Sequence, residues 1–175
     1  KYAPNYPVGF VMEPDFLGYM MQNSKTTPDK IPAQVSAAYS SGVLTSQDPK
    51  FANNVTGLVQ SINYIAHKTA PNARFGWQFN LWADPTHSGG AKGLMHATEQ
   101  MGQTAGKQYI SDAAKNIAAY YQSAGVTSYG ASFISVDKYG LDGGSSSLSP
   151  TAASDPKNST WFWNDDLWNN YTSFV

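Results

Sequence analysis

The sequence predicts an α/β fold, specifically a parallel-stranded (β/α) barrel of the TIM-like type, present in part as its carboxyl-terminal half. Three observations carry that expectation. Short apolar runs alternate with longer stretches of helical periodicity, in the order strand, helices, strand, helix, strand, helix, which is the alternation of parallel α/β folds. The first and last runs stop abruptly at a carboxylate, and in a (β/α) barrel the carboxyl ends of the strands open onto the mouth that holds function. Three strands in 175 residues fall short of the roughly 250 residues of eight β/α units. About half a barrel is therefore expected, its open edges calling for the amino-terminal half of the same barrel or a second copy; a small open α/β sheet is the alternative.

The elements follow in order. Val8 to Asp15 reads as a buried parallel strand ending at Glu13-Pro14-Asp15, with Pro14 marking the exit from the ladder and holding Glu13 extended before it. Ile31, Val35, Ala38 and Tyr39 stand at helical spacing between Pro28 and Ser41, and Gly42 suits a C-terminal cap. From about Asn53 to Lys68 the stripe Val55, Leu58, Val59, Ile62, Ile65, Ala66 predicts a longer helix, which Pro71 forbids from continuing. Arg74 to Trp82 reads as a strand running into Ala83-Asp84-Pro85, followed by a polar, Gly-rich loop from Thr86 to Gly93.

Ile110, Ala114, Ile117, Ala118 and Tyr121 predict a helix from about Thr104 to Ser123, closed by Gly125. The third strand, Ala131 to Gly140, also reads as a buried parallel strand and carries Asp137 where its apolar run stops. Gly143 to Ser154 is a low-complexity Gly/Ser/Pro loop rather than a linker, because too little chain follows it for another domain. Trp161 to Phe174 reads as an aromatic terminal helix. A single partial-barrel domain over residues 1–175 is the expectation. Because the chain begins at Lys1 rather than Met, a processed form or a piece of a longer parent is expected.

Composition narrows the function classes. Eleven basic against 12 acidic residues give a net charge of −1 with no block of like charge, so neither a nucleic-acid footprint nor a polybasic membrane patch is present. No apolar run approaches the roughly 20 residues of a membrane span. Only 13% of residues are charged while 14% are aromatic. That leaves a surface of Ser, Thr, Asn, Gln and Tyr, suited to a neutral polyhydroxyl ligand and to an extracellular setting. The absence of Cys excludes a disulfide framework, a thiolate metal site and a cysteine nucleophile. His67, His87 and His96 show no metal-ligand spacing, and structural or solvent-exposed roles are expected for them. No metal or organic cofactor is expected.

Hydrolysis of a glycosidic bond needs one acid to protonate the leaving oxygen and one carboxylate to activate water or attack the anomeric carbon, both projecting into one cleft. Glu13, Asp15 and Asp137 satisfy the topological part of that demand as candidate catalytic residues. An acid at a strand end more often caps the next turn, and that reading is kept for Asp84, Asp142, Asp165 and Asp166. Alternation along the second strand places Gln78, Asn80 and Trp82 on one face, so Gln78 and Asn80 could bond sugar hydroxyls while Trp82 stacks on a ring. Tyr139 and Trp161 complete the candidate sugar-binding set.

Three stretches resemble glycoside hydrolase family 6, the cellobiohydrolases and endoglucanases of β-1,4-glucan, and they occur in that family's order. Val11-Met12-Glu13-Pro14-Asp15-Phe16-Leu17-Gly18 resembles its E-P-D strand, Phe133-Ile134-Ser135-Val136-Asp137-Lys138-Tyr139-Gly140 its late aspartate strand, and Trp161 to Trp168 its closing W-F helix. The resemblance implies the carboxyl-terminal half of a modified barrel using inverting hydrolysis. It implies further that Asp137 is base or charge stabiliser, that Asp15 supports the site and that Glu13 helps hold the strand end. The family's D-x-P-x-R-D strand, which bears the general acid, has no counterpart here, and Lys138-Tyr139 replaces the Q-G-R type sequence after the aspartate. The expected function is hydrolysis of a β-glucan-type polysaccharide. The alternative is a noncatalytic carbohydrate-binding or surface-assembly protein on a glycosidase-like barrel.

Overall fold

A computed structural model of the chain describes residues 8–88, 94, 98, 101–137 and 165–172. The elements run β1 (Gly9–Met12), α1 (Phe16–Ser24), a 3₁₀ turn (Pro28–Lys30), α2 (Ser36–Ser40), α3 (Val55–Thr69), β2 (Arg74–Phe79), α4 (Gln103–Ala124), β3 (Phe133–Val136) and α5 (Asp165–Thr172). The fold is mixed α/β, built on a three-stranded parallel sheet in the order β1-β2-β3. β1 pairs with β2 from Gly9↔Arg74 to Met12↔Trp77. β3 follows the same sense, since Ser132 N–H donates to Phe75 O and Asp137 N–H to Phe79 O, both at 2.9 Å.

The sheet corrects one expectation. β1 and β3 read as fully buried strands, yet Phe10 is 50% exposed, Val11 41% and Ile134 44%. Among the described residues the sheet has three strands, of which only β2 is central, so β1 and β3 are its edges there. Phe75, Trp77 and Phe79 on one face of β2 are buried. On the opposite face Gly76 is obligatory, because a Cβ there would lie 2.0 Å from Phe133 O.

The chain divides into two compact units, residues 1–78 with 120–135 and residues 79–119 with 136–175. In the first, α3 is the anchor. Asn54 caps it by accepting from Gly57 N–H at 2.8 Å while its own amide donates to Asp29 O at 2.9 Å. Gly57 permits the preceding chain to cross close by, where a Cβ would meet Ala52 O at 2.0 Å. Asn63, buried on α3, accepts from Trp77 Nε1 at 2.8 Å and donates to Ser128 O at 3.1 Å and Gly125 O at 3.3 Å. One amide thus ties helix, strand and the turn that precedes β3.

The loop before α3 is held by a buried carboxylate. Asp48 accepts from Lys68 Nζ and Tyr64 OH, both at 2.6 Å, and from Thr45 N–H at 2.8 Å. Lys68, and then Tyr64 and the Thr45 amide, hold the Asp48 carboxyl far below the usual carboxylate range. Tyr39 OH donates to Pro49 O and accepts from Phe51 N–H.

The helix expected from Pro28 to Ser41 is not continuous. Ile31 and Pro32 leave it to bond the chain ahead of α3, with Val55 N–H donating to Ile31 O and Ala33 N–H to Asn53 O. Only the 3₁₀ turn and α2 remain helical. Gly42 does close α2 at φ +79°, and Gly125 closes α4 at φ +88°.

In the second unit, Ile110, Ala113, Ala114 and Ile117 of α4 form a buried stripe. α5 is fastened by Asn170, whose amide donates to Ser111 Oγ at 2.8 Å and to Lys107 O at 3.0 Å. Tyr171 is fully buried, its ring stacked with Trp168. The predicted Gly/Ser loop at 143–154 lies outside the described residues.

Candidate active site

The sequence nominated strand ends, and each has a defined local structure. β1 ends in a turn in which Phe16 N–H donates to Glu13 O at 3.1 Å. Pro14 occupies the second position and Asp15, at φ −104° and ψ −7°, the third, which is type I geometry. Glu13 is not extended as expected: its φ is +37°, a left-handed conformation that non-glycine residues adopt only where surrounding structure imposes it. Asp15 sits at the N-cap of α1, yet its side chain makes no capping bond. Both acids are exposed rather than buried, because the strand is over before they are reached.

β2 stops at Phe79 rather than Trp82, since Ala83 N–H donates to Asn80 O and turns the chain. The expected shared face of Gln78, Asn80 and Trp82 is therefore broken. Asn80 is fully buried, while Gln78 and Trp82 are half-buried. Asp137 follows Val136 at the end of β3, half-buried, its backbone fixed by the bond to Phe79 O. Tyr139 and Trp161 lie outside the described residues, as does His96.

In the second unit the loop after β2 holds a polar cluster centred on Asp84. Asp84 is 2% exposed. Its Oδ1 accepts from Thr86 N–H at 2.9 Å and Thr86 Oγ1 at 2.7 Å, and its Oδ2 from Asn116 Nδ2 at 2.8 Å and His87 Nδ1 at 2.9 Å. Burial pushes the Asp84 carboxyl up, but the bonds from Asn116, Thr86 and His87 outweigh it and hold the group below its ordinary value. The carboxylate is ionised and fully occupied, so it accepts from every neighbour. The His87 ring lies against Tyr109, with centroids 4.9 Å apart, and Tyr109 OH donates to Thr86 O at 3.4 Å.

The capping reading of Asp84 thus holds for Oδ1 alone. The sequence signal for the rest was Tyr109 and Asn116, seven residues apart and so on one side of a helix. His67 lies in the last turn of α3.

Among the described residues no group of three or more His, Cys, Asp or Glu could hold a metal ion, and no helix is long and apolar enough to cross a membrane. Comparisons with protein-family models, curated proteins and solved structures gave no match.

Proposed function

We propose that the protein is a glycoside hydrolase acting on a β-glucan-type polysaccharide outside the cell, built on part of a (β/α) barrel. The observation that carries the reading is the way consecutive parallel strands discharge into polar turns: Glu13-Pro14-Asp15 after β1, Asn80 to Asp84 after β2, and Asp137 after β3. Sequential neighbours in one parallel sheet fit part of a barrel, and fit one half of a doubly wound sheet as well, since that fold reverses its strand order only at the switch point. The exposed apolar side chains of β1 and β3 support an incomplete barrel whose missing strands come from an amino-terminal half or a second copy.

In this reading Asp137 takes the proton of the attacking water or stabilises positive charge at the anomeric carbon. Its backbone tether to β2 fixes where the carboxylate starts. Trp82 offers a ring face to a sugar. Glu13 and Asp15 enter through the sequence resemblance, as the pair that supports the strand end. Tyr139 and Trp161 remain proposed sugar contacts on the same ground.

The test is to incubate the protein with a panel of β-glucans and follow reducing ends together with the anomer first released. Release of reducing ends is expected, with inversion at the anomeric carbon. Sugar binding without any release would replace the hydrolase with a noncatalytic carbohydrate-binding protein.

A further inference from the structure

The turn formed by Asp84 needs only Oδ1, which Thr86 satisfies through its N–H and hydroxyl. Oδ2 has a separate pair of donors, His87 and, from α4 more than 30 residues on, Asn116. Because an ionised carboxylate only accepts, the ring must carry a proton on Nδ1. The Thr86 hydroxyl, 2.8 Å from Nδ1, gives its proton to Asp84 and so also faces the ring as an acceptor. The tautomer is thereby fixed, and Nε2 becomes the nitrogen that exchanges protons with whatever approaches. Asp84 is almost wholly covered while the His87 side chain is 25% exposed. The dyad is anchored at one end and open at the other.

We propose that Asp84 and His87 form an acid–base dyad whose Nε2 protonates the glycosidic oxygen of a bound glycan. This rests on the hydrolase reading above and supplies the proton donor that its sequence resemblance lacks. In the step, Nε2–H of the imidazolium passes its proton to the leaving oxygen as the C1–O bond breaks and its electron pair moves to that oxygen. A water oxygen bonds to C1, and the proton it sheds goes to the Asp137 carboxylate. Asp137 then releases its proton to solvent and the ring takes one up, so both groups are restored, one water is consumed and two sugar ends are produced. Asp84 and Asn116 are positioning residues, and His87 is the catalytic one. Asp84 on its own loop and Tyr109 on α4 are titratable groups that face the ring.

The experiment measures hydrolysis of two β-glucosides of the same chain length, one with an unactivated sugar leaving group and one with a nitrophenolate, by wild-type protein, His87→Asn and His87→Gly. A nitrophenolate departs without protonation, so only the first substrate needs an acid. The expected result is a loss of about 10²–10⁴-fold on the unactivated substrate, the range of general acid catalysis, and a loss at least about tenfold smaller on the activated one. Added imidazole is expected to restore turnover to His87→Gly on the unactivated substrate. Asp84→Asn should show the same leaving-group signature with smaller amplitude. Equal losses on both substrates, or no loss, with wild-type turnover intact, would overturn the dyad alone. An absence of turnover by the wild-type protein on either substrate would overturn the hydrolase reading and the dyad with it. Nitrogen NMR of the folded wild-type protein provides a check independent of activity: a neutral His87 ring protonated on Nε2 instead of Nδ1 would also refute the assignment.

Discussion

Replacing Asn63 with Leu keeps much of the side chain's shape and removes its polar atoms, which makes it a sharp probe of the first unit. The cost can be worked out group by group. Trp77 Nε1, in a side chain 1% exposed, loses its 2.8 Å acceptor. A buried donor left unpaired costs about 1–3 kcal/mol. The acceptors of the Asn63 amide fare better. Gly125 O keeps Ser128 Oγ at 2.7 Å and Ser128 O keeps Ala131 N–H at 3.3 Å, while Val126 O loses a long 3.4 Å bond, so losing the amide adds about 1 kcal/mol. The sum is about 2–4 kcal/mol, on the order of 10 °C in Tm for a chain of this size. Denaturant unfolding of Asn63→Leu, Trp77→Phe and the double variant would measure it. The double variant is expected to be less destabilised than the sum of the singles by about 1–2 kcal/mol, because it strands no donor. Strict additivity, or a cost below about 0.5 kcal/mol for Asn63→Leu, would refute the shared-anchor account.

Three further outcomes are expected. Gly76→Ala should destabilise by about 3 kcal/mol, at the upper end of overpacking penalties, because its Cβ meets the Phe133 backbone; a neutral result in thermal unfolding would mean that β3 does not approach β2 as described. Asp48 has a depressed pKa in the folded state, so its stabilisation is present above the unfolded carboxylate value of about 4 and is lost as pH falls below it. Wild-type protein and Asp48→Asn should therefore converge in stability on acidification, and a constant gap down to strongly acid pH would contradict the assignment. Asn170→Leu should loosen α5, by removing its bonds to Ser111 and Lys107, and raise amide exchange in that helix; unchanged protection would remove Asn170 as its fastener.

Much of the fold was legible because periodicity and end signals agreed. α3 carries an apolar stripe and a capping Asn54, and α4 a stripe closed by Gly125, so both fall within about two residues of their expected bounds. The stretch from Pro28 to Ser41 misled because helical spacing of Ile31, Val35 and Ala38 was local. Pro32 and the pairing of Ile31 with Val55 N–H, which depends on residues over 20 positions away, took precedence. α1 went unread since it buries only Leu17 and Gly18, too few to leave a stripe. Burial of β1 and β3 was misjudged because an apolar run does not reveal how many strands will flank it.

The strand-end acids were visible as composition breaks, but their conformations were not. Glu13 sits at positive φ despite the following proline, and Asn80 turns inward because β2 ends three residues early. Asp84 and His87 stand three residues apart, and the spacing of Tyr109 and Asn116 puts those two on one side of a helix, but nothing in the spacing tells that this side meets the loop; that contact exists only once α4 is folded against it.

Asp137 carries the central claim, and Asp137→Asn tests it most directly, with reducing-end release and oligosaccharide binding measured on the same preparations. Loss of turnover by about 10²-fold or more, with glycan affinity and unfolding midpoint retained, is the predicted result. Wild-type turnover in Asp137→Asn would contradict it.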